Sequence, residues 1–333
     1  MRHRFPVSRY VTTLAVAIGL LLLPTTPAAA QNQAEQTAPR TTWGHPDLQG
    51  VWDFRTLTPL ERPDALGDVQ AFASDEAAAE FAAATAHALD ADRRDGADQE
   101  FGFGSDIERA YNQFWMDYGS NLTEDRRTSL IVDPPDGKIP WTPEGRERPG
   151  TFARAFSGMV TEGPEDRALS ERCILGFNAG PPMTPSAYNN NMQLFQTPDT
   201  VVIFNEMVHD ARIVPLDGRP HLAGSVPQWM GSSRGRWEGD TLVLETTNFL
   251  RETSFAGSSA NLHLVERFTR VADGTLLYEF TASDPTTYSR AWTAQVPMRL
   301  SDGNLYEYAC HEGNYGMFNL LGGARAEERE AAA

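Results

Sequence analysis

The sequence predicts a mainly β protein, a single antiparallel meander closing into a barrel, with a helical insertion near the N-terminus. Three observations lead there. From Arg127 onward nine short runs carry strand-like patterning. They are bounded by turn chemistry: Thr197-Pro198-Asp199, Asp217-Gly218, Glu238-Gly239-Asp240, Asp273-Gly274 and Asp302-Gly303. The links between successive strands are also short, whereas a parallel pair needs a crossover of a dozen or more residues. So many strand edges require either a second sheet or closure of the sheet on itself.

Residues 1–30 read as a cleaved signal peptide. Arg2, Arg4 and Arg9 form a basic start, Val11 to Leu23 is apolar, and Ala28-Ala29-Ala30 supplies small residues before Gln31. A spanning anchor needs about 20 apolar residues, and this run is shorter and ends at Pro24. No cysteine follows the cleavage position, so a lipoprotein anchor is not indicated. The expectation is a periplasmic or secreted chain without a stable membrane anchor. Residues 31–42 read as a flexible stem, which leaves 43–333 as one β-rich domain.

Within that domain Leu48 to Phe54 alternates as a first strand, with Gly50 where a neighbour approaches closely. Gly50-Val51-Trp52 is similar to the opening of lipocalin-type barrels, which implies a lipocalin-like outline; Gly235-Arg236-Trp237 repeats the pattern. Ser74 to Arg94 reads as a helix, Ser74 capping and Asp75 and Glu76 in the first turn where the dipole favours acids. Asp106 to Tyr118 is a second helical candidate, placing the insertion at 74–118. The strands expected next are Ser129 to Val132, Met192 to Gln196, Thr200 to Val208, Arg212 to Leu216, Thr241 to Phe249, Leu262 to Val271, Thr275 to Ala282, Trp292 to Met298 and Leu305 to Ala309. In the run from Leu262, one face carries Leu262, Leu264, Glu266 and Phe268, apolar except for a single acid. No long internal repeat argues for a propeller or solenoid.

Charge narrows the partners. Asp+Glu total 45 against 28 Lys+Arg, a net charge of -17, so polyphosphate and anionic lipid are repelled and nucleic acid is excluded as a partner. A small-molecule ligand or substrate is expected. Lys138 is the only lysine, which restricts Schiff-base chemistry to one position. The two cysteines, Cys173 and Cys310, form no CxxC, so zinc-cluster and thioredoxin-type readings lose support. In an oxidising compartment they read as one disulfide tying the loop before the main sheet to the last strand.

Chemistry points to imidazoles. Leaving aside His3 in the signal and His87 in the alanine-rich helix, the histidines are His45, His209, His221, His263 and His311. Two dense stretches stand out: Glu206-Met207-Val208-His209-Asp210-Ala211-Arg212, and Cys310-His311-Glu312-Gly313-Asn314-Tyr315. Imidazole suits general acid/base work because both protonation states exist near neutral pH. An extended strand would put Asn205, Met207 and His209 on one face and Glu206 on the other. Each histidine has the alternative of capping a loop or satisfying buried backbone groups. No cofactor is expected; a metal ion held by three converging imidazoles and a carboxylate is the rival, although neither HxH nor HExxH occurs. No GxSxG supports a serine nucleophile. The loop with Tyr188 and Asn190, the run Ser232 to Trp237, and Asp284-Pro285-Thr286-Thr287-Tyr288 are candidate pocket linings.

His45-Pro46-Asp47-Leu48-Gln49-Gly50-Val51-Trp52, the run Arg234 to Phe249, Asp284-Pro285-Thr286-Thr287 and Tyr308-Ala309-Cys310-His311-Glu312-Gly313-Asn314 resemble a large family of exported bacterial hypothetical proteins. The resemblance covers nearly the whole mature chain; it implies export and a single β-rich unit and transfers no catalytic residue.

The functional expectation is an exported enzyme of lyase, hydratase or isomerase type, acting by acid/base chemistry on a small amphipathic hydroxylated compound. His209 and His311 are the leading acid/base residues, with His221 and His263 behind them. Glu312 is expected as orienter, Tyr188 as proton donor, Arg212 and Arg236 as anion stabilisers, and Trp237 and Asn190 as binding residues. The rivals are a non-catalytic ligand-binding barrel of the envelope, and a carboxylate- or metal-dependent hydrolase of a glycan or ester using Glu206, Asp210, Glu266 or Glu312.

Overall fold

Strand β1 (Gly50–Asp53) opens the sheet, and the next strands follow a long polar loop: β2 (Ile131–Asp133), β3 (Asn191–Gln196), β4 (Thr200–Asn205) and β5 (Ala211–Pro215). Five more complete it: β6 (Ser232–Glu238), β7 (Thr241–Thr247), β8 (His263–Ala272), β9 (Thr275–Ser283) and β10 (Trp292–Ser301). The helices among the described residues are α1 (Asp75–Leu89), α2 (Pro143–Arg146) and α3 (Tyr315–Ala331). This computed structural model describes residues 38–92, 112–148, 161–253 and 255–333, His209 by its backbone. The signal at 1–30, the stem at 31–37 and the part of the second helical candidate at 106–111 lie outside the described residues.

The fold is mainly β, and every ladder is antiparallel. The hydrogen-bonded order is β5-β4-β3-β1-β10-β9-β8-β7-β6, with β2 attached to β10. Read as a ring, this is sequence order throughout: β1 pairs with both β3 and the last strand, β10. The ring is open between β5 and β6, which lie side by side without a ladder. Neighbouring strands alternate in direction along the path, and an odd number of strands lies between the gap's two edges, so β5 and β6 run the same way. Residues 216–231 carry the chain back between them. Side chains seal the seam: a Cβ at Gly235 would meet Leu216 Cδ2 at 2.5 Å and Leu244 Cδ2 at 2.9 Å, so the missing side chain gives these leucines room to pack between β5 and β6.

Inward residues pack as one continuous cluster. Val201, Ile203, Val214, Leu242, Leu244, Leu264, Phe268, Leu276, Phe280, Val296 and Met298 are all fully buried in it. Trp52 plugs the end where the chain enters, its indole N–H donating to Leu48 O at 2.9 Å, with the Arg270 guanidinium 5.6 Å over its ring. Gly50 sits at φ 139°, and a Cβ there would meet Leu300 Cδ1 at 2.7 Å, the close approach its position implied. Order begins upstream of Trp43: Pro39 O accepts from Asp47 N, and Arg40 donates to both carboxylate oxygens of Asp240 at 2.9 Å.

Helix α1 forms as its sequence implied, Ser74 Oγ accepting from Ala77 N. Elsewhere the elements depart from expectation. In the second helical candidate, Gln113–Trp115 makes one 3-10 turn and the chain to Tyr118 is irregular. The run from Thr200 ends as a strand at Asn205, because Glu206 turns αR and Met207–His209 forms a 3-10 turn with Val208 at φ 59°. Residues 305–309 are irregular rather than a strand, with Tyr306 74% exposed. Ser232–Glu238, read as a pocket lining, is strand β6.

Candidate functional site

The registers place the β4–β5 corner at the same end of the sheet as the end of β1, the starts of β3, β6, β8 and β10, and the ends of β7 and β9. His209 belongs to that corner, His221 leads toward β6, and His263 starts β8. His45 belongs to the opposite end, its ring stacked 4.6 Å from that of Trp237.

What gathers at the corner end is held by the Cys173–Cys310 disulfide, Cα atoms 5.7 Å apart. The expected pairing is present, though Cys310 lies in irregular chain instead of the last strand. Cys173, Ala179, Met207 and Val208 form a second buried cluster, against which Phe177, Tyr188, Tyr308 and Cys310 pack. The two dense stretches singled out in the sequence therefore meet here. Tyr188 and Tyr308 stack with centroids 6.4 Å apart, and Phe177 sets its edge to Tyr188 at 5.5 Å. Beside the disulfide opens a cavity of about 410 Å³, lined by Ser170, Glu171, Tyr308, Cys310, Glu312 and Asn314. His311 and Glu312 stand exposed next to it.

The backbone at this end is unusual. Cys173, Asn189 and Val208 all have positive φ, at 55°, 54° and 59°. Asparagine tolerates that region, whereas for a β-branched valine it is a true outlier. Such conformations persist where the surroundings over-determine them, and they concentrate at functional sites. Here the packing of Met207 and Val208 against the disulfide supplies the constraint.

Buried asparagines knit the loop together. Asn190, fully buried, accepts from Ser186 N at 2.8 Å and donates to Ser186 O at 2.8 Å and Asp117 O at 3.0 Å. Asn178 Nδ2 donates to Tyr188 O at 3.0 Å. Its Oδ1, and the Oδ1 of Asn205, are buried without a hydrogen-bond partner among the described residues. Glu206, just past the end of the strand, is buried and accepts from Asn191 Nδ2 at 2.7 Å.

The remaining predicted residues lie away from the disulfide cluster. His263 faces outward, Nε2 at 2.8 Å from Glu245 Oε1, and this hydrogen bond holds the Glu245 carboxyl below its usual range. His221 lies within electrostatic reach of the same carboxylate; its Nδ1 is 2.7 Å from Ser232 O, and since a carbonyl only accepts, that nitrogen donates. Arg236 donates to Glu238 on the outer face at 2.6 Å. Arg212 is in the core, both terminal nitrogens on Glu266, so its charge is already neutralised.

A second groove, of about 480 Å³, runs outside β1, β9 and β10 and contains none of the predicted residues. Arg55 bridges Asp53 and Asp117 at its edge, and burial pushes the Tyr118 phenol up. Among the described residues no group of three or more His, Cys, Asp or Glu side chains is arranged to hold a metal ion, and no helix is long and apolar enough to cross a membrane. Comparison with protein-family models, with characterised proteins and with solved structures found no match to this chain.

Proposed function

We propose that the protein is an exported enzyme that performs acid/base chemistry of lyase, hydratase or isomerase type on a small amphipathic hydroxylated compound, at the disulfide end of the sheet. The observation that carries the reading is the convergence, around one disulfide, of the strained His209 corner, the Tyr188–Asn190 loop and the segment bearing His311 and Glu312. Strain of this kind is stored where geometry must be held for a task. The cavity's lining, Tyr308 beside the carboxylates of Glu171 and Glu312, suits a ligand with an apolar body and hydroxyl donors. His209 and His311 are the acid/base residues, Tyr188 a proton donor and Glu312 the orienter. The disulfide and the acidic surface agree with an oxidising compartment outside the cytoplasm.

The core cluster bears on the rival reading. A carrier would take its ligand into the lumen, and the lumen side chains already pack on one another. That favours chemistry at the end of the sheet over storage inside it.

The test is turnover of phenolic, terpenoid and sugar-derived compounds by the purified mature protein and four histidine variants. His209→Ala and His311→Ala are expected to lose at least about a hundredfold, the usual worth of a positioned acid or base, with folding intact. His221→Ala and His263→Ala, on the Glu245 side, are expected to retain activity. Full activity in both of the first two variants removes the assignment.

A further inference from the structure

Tyr278 sits in the middle of β9 with its hydroxyl in the fully buried core. It accepts a hydrogen bond from Met183 N at 3.1 Å and donates one to Glu266 Oε1 at 2.8 Å. Glu266, inward on β8 and also fully buried, receives both terminal nitrogens of Arg212, with Nη2 at 2.9 Å from Oε1. The three polar side chains are thus one connected network inside an otherwise apolar cluster.

A buried ion pair is a weak source of stability, because removing both charges from water costs several kcal/mol per ion and well-packed apolar residues commonly replace it without loss. What this network does possess is direction. At one end, Met183 opens the loop that carries Tyr188 and Asn190, the loop closed on itself by Ser186 and Asn190. At the other end, Arg212 is the second residue of β5, immediately after the Met207–His209 turn and Asp210. Each terminus of the network leads into one of the two loops that pack together at the disulfide.

We propose that Tyr278 is a positioning residue: through Glu266 and Arg212 it holds the Tyr188–Asn190 loop in register with the His209 corner. The catalytic consequence rests on the reading of the disulfide end given above; the coupling itself is a property of two loops and is measured without substrate. Removing the hydroxyl leaves the Met183 N–H unpaired in the core and Glu266 Oε1 with Arg212 alone. A buried donor that loses its partner carries the full desolvation penalty, and the nearest relief is for the loop to open.

The experiment is native-state hydrogen exchange on the mature protein, comparing Tyr278→Phe with Met298→Ala, a core truncation on β10 whose β9 partner is the apolar Leu276. Tyr278→Phe is expected to raise exchange about tenfold at residues 183–190 and at 207–212 together, with the β6–β7 hairpin unchanged. Met298→Ala should raise exchange evenly. The backbone amide signals of Tyr188 and His209, followed by NMR, are expected to shift together in the first variant and not in the second. Should Tyr278→Phe fail to fold, Glu266→Gln keeps the volume and weakens the same junction, and the same paired pattern is expected. Exchange that rises evenly, or at Met183 alone, overturns the proposal, as does failure of both variants to fold. An even pattern with His209→Ala still inactive would overturn the coupling and leave the site standing.

Discussion

Gly235 and Val208 make opposite use of the same physical limit. Gly235 lacks a side chain where one would collide with Leu216 and Leu244, and that absence gives the two leucines room to pack at the seam between β5 and β6. Overpacking a formed core costs typically 1–3 kcal/mol, so Gly235→Ala is expected to lower unfolding stability by about that amount, read by urea denaturation. Val208 carries the side chain that its φ disfavours, a cost of roughly 1–2 kcal/mol, offset by burial at 2% exposure in the disulfide cluster. His209 is held by a neighbour that would relax if packing allowed. At this scale the sequence was informative about residue types, and about faces only where a strand was long enough to alternate. Glu266 stood out as the lone acid on an apolar strand face, and its burial with Arg212 follows from that pattern. The same patterning could not show that Arg212 points inward, since nothing in its own short strand marks the partner 54 residues away.

At the scale of elements, legibility followed turn chemistry. The hairpins at Glu238-Gly239-Asp240 and Asp273-Gly274, and the turn at Asp217-Gly218 where the chain leaves β5, mark real strand ends. The β4–β5 corner contains no glycine, proline or asparagine within Met207–His209, so the run from Thr200 read three residues too long. Strand β6 has the reverse history: Ser232, Ser233 and two arginines look like a loop, yet full pairing with β7 makes them a ladder. Pairing partners, absent from local sequence, decided it, and residues 305–309 stay irregular although Leu305 to Ala309 alternates. The segment is instead tied down by the disulfide, which spans 137 positions. Cross-linking so distant a pair is worth about 3–5 kcal/mol; Cys310→Ser is expected to lose that much and to free the Tyr308–Glu312 segment, visible as raised exchange at 308–314.

For the molecule as a whole, an acidic chain folds by pairing its carboxylates on the outside. Glu238 is held below its usual range by hydrogen bonds from Arg267 and then Arg236, and Asp217 is held down to about 2 by Arg219. A carboxyl whose folded pKa lies below its unfolded value binds fewer protons when native. Its stabilisation is therefore complete above the unfolded pKa near 4 and disappears as pH falls through the folded value. These groups are exposed, so each effect is small; Arg219→Ala should nevertheless move the Asp217 titration from about 2 toward about 3.9, the ordinary aspartate value, measured by NMR. The one measurement that bears most directly on the account is a map of where a turned-over compound protects the backbone. Protection is expected at 188–190, 207–210 and 308–314 together, with the outer faces of β6 to β8 unaffected. Protection confined to the Glu245 side or to the groove outside β1 and β10 would contradict it.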